Sequence, residues 1–129
     1  MNNLTLIIPA KFEAESLPLV LDEVKSLECK KIVILEPSDE ETIKAIQKFD
    51  CKIIYQKNKG YGDALIQGIN SVKTKFFCIF NADGSFNPKE LSLMLKKIKL
   101  QNADFVFGTR YEKGCGSDDD TIVTLIGNY

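Results

Sequence analysis

Histidine and tryptophan are absent from the 129 residues, and the four cysteines stand far apart. Without an imidazole neither a Ser-His-Asp nor a Cys-His arrangement can form, so any acid–base work falls to carboxylates. Cys29, Cys51, Cys78 and Cys115 form no CxxC pair, which argues against a structural zinc site. Cys51 and Cys78 sit in apolar runs, Cys115 lies between glycines in a loop, and all four read as reduced thiols. An excess of one charge is missing too. With 17 basic against 18 acidic residues, and no basic run interleaved with aromatics, nucleic acid is not an expected partner. No apolar stretch reaches the ~18 residues of a membrane span, and the chain enters LTLIIPA without a signal-peptide pattern. The reading is a soluble, cytoplasmic chain.

What is present is enough apolar material, 44% of residues, for the core of one domain. It is distributed as alternating strands and helices. Leu4 to Pro9 reads as a strand; Ser16 then caps a helix with Leu17, Val20, Leu21, Val24 and Leu27 at helical spacing, and Pro18 is tolerated in its first turn. Lys31 to Glu36 is the second strand, followed by a capping-box pattern of Ser38 with Glu41 ahead of Ile43, Ile46 and Phe49. Cys51 to Gln56, a helix over Asp63 to Val72, and Phe76 to Phe80 continue the series. Asn87-Pro88-Lys89-Glu90 opens a fourth helix that turns Leu91, Met94, Leu95 and Ile98 inward, and Asp104 to Gly108 reads as a fifth strand. Gly68, inside the third helix, reads as a point of close helix–sheet packing.

Such alternation predicts right-handed βαβ crossovers and an α/β fold: a three-layer αβα domain with a mostly parallel, Rossmann-like sheet. The run Phe76 to Phe80 has no polar alternation, which predicts a strand buried on both faces. In sheets of this kind ligands bind beyond the carboxyl ends of the strands, where strand order reverses. A strand order of 3-2-1-4 makes Pro9-Ala10 face Asn81-Ala82-Asp83 across one crevice. A carboxylate at that strand end suits Mg²⁺ or Mn²⁺ shared with substrate phosphates; Asp83-Gly84 by itself also reads as an ordinary turn, the plainer alternative. The stretch Asn58-Lys59-Gly60-Tyr61-Gly62 follows a strand and opens a helix, so its amides and Lys59 are placed to approach phosphate or base. It lacks the third glycine and the distal acid of a dinucleotide fingerprint, which disfavours a nicotinamide enzyme.

Four ordered blocks carry a resemblance: IIPAKFEAESLPLVL, NKGYGDALIQGI, FNADGSFNPKEL and VFGTRY. Together they resemble family 2 glycosyltransferases of the GT-A fold over residues 4 to about 111, and within them the dolichyl- or polyprenyl-phosphate mannose and glucose synthases. The resemblance implies a hexosyltransferase that takes UDP- or GDP-hexose as donor, a lipid phosphate as acceptor, and a divalent metal. It implies nucleotide contacts from Pro9, Ala10, Lys11, Glu13, Glu36, Lys59, Gly60, Asn81, Ala82 and Asp83, metal binding by Asp83, and catalytic roles for Asp83 and Arg110. The plain alternatives are a solvated strand end for Glu36, a first-turn helix charge for Glu13 and a surface arginine for Arg110.

The chain also departs from the family pattern. Asn81 replaces the first carboxylate of the DxD pair, so metal binding rests mainly on Asp83. Pro9-Ala10-Lys11-Phe12-Glu13 stands where the family reads Pro-x-Tyr-Asn-Glu, which displaces the aromatic by one position, and Leu35-Glu36-Pro37-Ser38 keeps one of two carboxylates. A second reading therefore stands beside the first: a nucleotide-binding or assembly module without transfer activity. A third, the sugar-nucleotide synthesising enzymes, expects a glycine- and arginine-rich loop after the first strand, unlike AKFEAES.

The donor-binding domain is expected over residues 1–111. Residues 112–129, with the acidic run Asp118 to Asp120 and the apolar Thr121 to Ile126, read as an incomplete element. On this reading the chain is the donor half of a truncated catalytic domain. It would be weakly active alone, open to self-association as a homodimer, and in its full-length form located at the cytoplasmic face of a membrane.

Overall fold

A computed structural model describes residues 1–108. The expected boundary at residue 111, Arg110, Cys115 and the acidic run all lie outside the described residues. The chain forms two units, Met1–Pro88 and a second that begins at Lys89.

The first unit follows the expected alternation: β1 (Leu4–Pro9), α1 (Ser16–Val24), β2 (Lys30–Leu35), α2 (Glu40–Ile46), β3 (Lys52–Tyr55), α3 (Tyr61–Asn70) and β4 (Phe76–Ile79). All pairings are parallel, in the order β3-β2-β1-β4. This is the expected αβα class of fold, and the order is the one a doubly wound topology predicts. Register places Ile7 opposite both Ile32 and Ile79, and Ile34 opposite Ile54.

β1 lies between two neighbours and all six of its residues are buried. Alternation along the strands puts Ile7, Ile32 and Ile34 on one face with Ala64 of α3, and Ile54 and Val72 at its margin. Gly68 makes that packing close: a Cβ there would stand 2.5 Å from Ile7 Cγ2 and 3.0 Å from Ile34 Cδ1. The glycine therefore lets α3 approach the sheet, as expected. On the remaining helices Leu17, Val20, Leu21 and Val24 of α1 and Ile46 of α2 are buried, and α1 and α2 pack on each other.

Several local expectations need correction. Ser16 does not cap α1; it is the first helical residue, and its hydroxyl donates to Glu13. Nor does Ser38 open α2. The cap is Asp39, which accepts from Thr42 N, because the side chain one position later is the one that reaches back to the exposed amide. Leu27 and Phe49 fall beyond their helices.

Among the described residues β4 is not buried on both faces: it is an edge strand paired with β1 alone, and Phe77 is 43% exposed. Its apolar run reflects composition, whereas burial depends on neighbours that the run does not specify. Cys29, Cys51 and Cys78 are free thiols, and burial pushes the Cys78 thiol up to about 11, keeping it neutral.

In the second unit α4 spans Glu90–Leu100. Its expected inward residues Leu91, Met94, Leu95 and Ile98 are less exposed than Leu93 and Leu100. The fifth strand expected over Asp104 to Gly108 is not formed. Phe105 and Phe107 instead stack on each other, with centroids 6.2 Å apart, and remain exposed. A β-prone run becomes a strand only when a neighbouring ladder takes up its backbone groups. Among the described residues no helix is long and apolar enough to cross a membrane.

Candidate functional site

All four strands of the first unit end at one cavity of about 440 Å³. The backbone ladder continues one step past β1, β4 and β3: Ala10 N donates to Ile34 O, Phe80 N to Ile7 O and Gln56 N to Leu35 O. Pro9, Ala10, Lys11 and Glu13 at and after the end of β1, Glu36 just after β2, and Asn81, Ala82 and Asp83 shortly after β4 all line the cavity. Gln56 follows β3, and Gly60, Tyr61 and Ala64 come from the start of α3. The crevice lies where strand order reverses between β1 and its two neighbours, as the topology requires.

The β1 side is bent sharply. Phe12 takes φ +55°, a left-handed conformation uncommon for a residue with a side chain. Just before the bend, Lys11 Nζ stands 3.7 Å from Glu36 Oε1, with the Glu36 side chain 18% exposed and the lysine mostly in solvent. Two residues singled out separately in the sequence thus form one ion pair at the cavity. Exposure on the lysine side leaves it a modest contribution to stability, and the pair presents a carboxylate beside a cation to anything bound there. Phe12 itself does not line this cavity; it lines a separate depression with Asp39 and Thr42.

The β4 side is a tight turn. Gly84 has φ +79°, Asp83 Oδ1 accepts from Ser85 N at 2.9 Å, and Asn81 Nδ2 donates to Ser85 Oγ at 3.3 Å. Phe86 packs edge-to-face on the buried Phe80, with centroids 5.6 Å apart, and so anchors the far end of the turn. Ala82 is buried while Asp83 is exposed. Among the described residues no group of three or more His, Cys, Asp or Glu could hold a metal by itself. The Asp83 carboxylate and the Asn81 amide oxygen are hard oxygen donors, a set that fits Mg²⁺ or Mn²⁺ when a bound ligand supplies further oxygens.

The third side is the glycine-rich stretch. Gln56 Nε2 donates to the carbonyls of Asn58 and Gly60, at 3.2 and 2.9 Å, and Gly60 has φ +106°. The Asn58 amide, backed by Gln67, holds the Asp63 carboxyl below its ordinary value. Gly60 lines the cavity, whereas Lys59 is exposed and does not. Gln56, Tyr61 and Ala64 were not anticipated. The rule that ligands gather at strand ends points to Gln56, the last residue of the expected third strand, and Tyr61 sits inside the stretch already singled out.

Comparison with known proteins gives a consistent family. The model of glycosyl transferase family 2 matches residues 5–128. An uncharacterized protein of Methanocaldococcus jannaschii is 30% identical over 118 residues, covering 83% of this chain and 52% of that protein. An uncharacterized glycosyltransferase of Mycobacterium tuberculosis is 26% identical over 106 residues, covering 82% of this chain and 48% of the relative. A second uncharacterized protein of Methanocaldococcus jannaschii is 26% identical over 129 residues, covering 96% of this chain and 53% of its own length. The chain spans about half the length of the curated relatives it matches.

Proposed function

Since the chain belongs to glycosyl transferase family 2, we propose that it binds the donor in a transferase that moves a hexose from UDP or GDP onto an acceptor, a polyprenyl or dolichyl phosphate. The observation that carries this reading is the convergence of the Lys11–Glu36 pair, Ala82 and Asp83 on one cavity at the sheet's switch point. Glu36 is placed to accept an N–H from the base, and Lys11 to balance its charge. Gly60 and Tyr61 bring the start of α3 toward the ligand's phosphates or base.

Asp83, with Asn81 beside it, would hold Mg²⁺ or Mn²⁺ against the donor diphosphate, and the ion would offset the charge that grows on the departing group. Transfer is an in-line displacement. An acceptor oxygen forms the new bond to the anomeric carbon as the bond from that carbon to the diphosphate oxygen breaks, and the electron pair leaves with the nucleoside diphosphate. A phosphate acceptor is already ionised near neutral pH, its second pKa being about 6, so no histidine base is needed. Arg110, outside the described residues, is proposed as a second donor to the diphosphate.

Asn81, in place of a carboxylate, favours one competing reading, a module that binds nucleotide without transferring sugar. Calorimetry with UDP and GDP, with and without Mn²⁺, tests the shared premise. Wild type should bind one of them in a Mn²⁺-dependent manner, and Asp83→Ala should weaken that binding at least tenfold with the fold intact. Equal affinities in wild type and variant would reduce Asp83 to a turn residue. Formation of a lipid-linked sugar from labelled donor and short polyprenyl phosphates separates transferase from binding module.

A further inference from the structure

Asp39 is buried, 4% exposed, and lies outside the main cavity. Both of its oxygens are engaged: Oδ1 accepts from Thr42 N at 3.4 Å, capping α2, and Oδ2 accepts from Phe12 N at 2.8 Å. Thr42, fully buried, accepts from Glu13 N through Oγ1 at 3.1 Å. Two consecutive amides of the loop after β1 are therefore held by the first turn of α2, at the point where the backbone turns left-handed at Phe12.

We infer that Asp39 is a positioning residue for the ligand cavity: it holds the loop in the bent form that turns Lys11 and Glu13 toward the cavity and Phe12 away from it. A left-handed residue with a Cβ is unfavourable by itself and persists only where its surroundings impose it. The charge-assisted bond from Phe12 N, formed in a buried setting, is such an imposition. Only a carboxylate serves both directions, because an asparagine would present its NH₂ to one of the two N–H groups. The consequence for binding is direct. Released from the bend, the loop would no longer keep Lys11 within reach of Glu36, and the aromatic at position 12 would be free to swing across the cavity.

The link to affinity rests on the nucleotide-binding reading above; the clamp itself does not. The full 129-residue chain is prepared as wild type, Asp39→Ala, Asp39→Asn, Phe12→Gly and the double variants that combine Phe12→Gly with each substitution at 39. UDP and GDP affinities are measured with Mn²⁺, and amide hydrogen exchange is followed by NMR at Phe12 and Glu13. Asp39→Asn should speed exchange at Phe12 and weaken nucleotide binding at least threefold, and Asp39→Ala at least tenfold. Phe12→Gly alone should bind within about twofold of wild type. Glycine takes a left-handed backbone without penalty, so adding it should restore most of the affinity lost at position 39, which a residue acting only on overall stability would not allow.

If Asp39→Ala does not fold, Asp39→Asn with its glycine partner carries the same comparison. Undiminished affinity in the Asp39 variants, or a loss that glycine leaves unchanged, overturns the proposal. If wild type binds neither nucleotide, the functional reading fails, and the exchange data still decide the clamp: unchanged protection at Phe12 in Asp39→Asn overturns it.

Discussion

On one side of the cavity Phe12 and Glu13 give their amide hydrogens to side chains 27 and 29 residues further along the chain; on the other, Ser85 gives its own to Asp83, two residues back. The β1 side is held from outside itself, by the buried Asp39 and Thr42. On the β4 side the bond to the amide comes from within the turn, with Gly84 supplying the positive φ. The difference shows two ways to shape a cavity wall. A remote clamp can impose a backbone conformation the local residues disfavour, whereas a local turn must be written in residues that accept it.

The largest effect should come from the floor the two walls share. Gly68→Val would drive a branched side chain into Ile7 and Ile34, both fully buried and stiff at χ1. The expected cost is about 3 kcal/mol of unfolding free energy, read from urea denaturation, and nucleotide affinity should fall because both walls stand on that packing. A variant as stable as wild type would show that α3 can move off the sheet without harm. Next comes a cut in the remote clamp alone. Thr42→Val keeps the shape of a fully buried side chain but removes the acceptor for Glu13 N, so a loss of about 1–2 kcal/mol is expected. The smallest effect belongs to the local wall. A Cβ at Gly84 would meet nothing within 4 Å, so the penalty for Gly84→Ala comes only from φ +79°, about 1 kcal/mol. Should Gly84→Ala cost more than Thr42→Val, the contrast between a wall clamped from a distance and one shaped by a local turn would collapse.

Much of the cavity is legible in the sequence. Apolar runs alternating with helical spacing predict parallel crossovers, and the order β3-β2-β1-β4 then places Pro9-Ala10 opposite Asn81-Ala82-Asp83. Local signals that depend on one side chain were less reliable. Ser16 and Ser38 both have capping chemistry, yet Glu15 holds the position before α1 with no side-chain bond, and Asp39 caps α2. Phe105 and Phe107 have strand propensity and form no strand, since propensity supplies no partner.

What the sequence determined by itself, then, is whatever repeats along the chain. The period of the apolar residues sets the elements, glycine at 68 and 84 marks where a helix comes close and where a turn needs positive φ, and the strand ends name residues that line the cavity. Only the tertiary structure decided that Lys11 pairs with Glu36, that Gln56 and Tyr61 join the lining, that Phe12 turns away, and that Asp39 is the residue holding it there. Each of these is a distance between segments brought together by folding. A hydrogen bond between residues 27 apart leaves no periodic trace in the chain, because the energy that selects it exists only once the sheet has placed its two ends side by side.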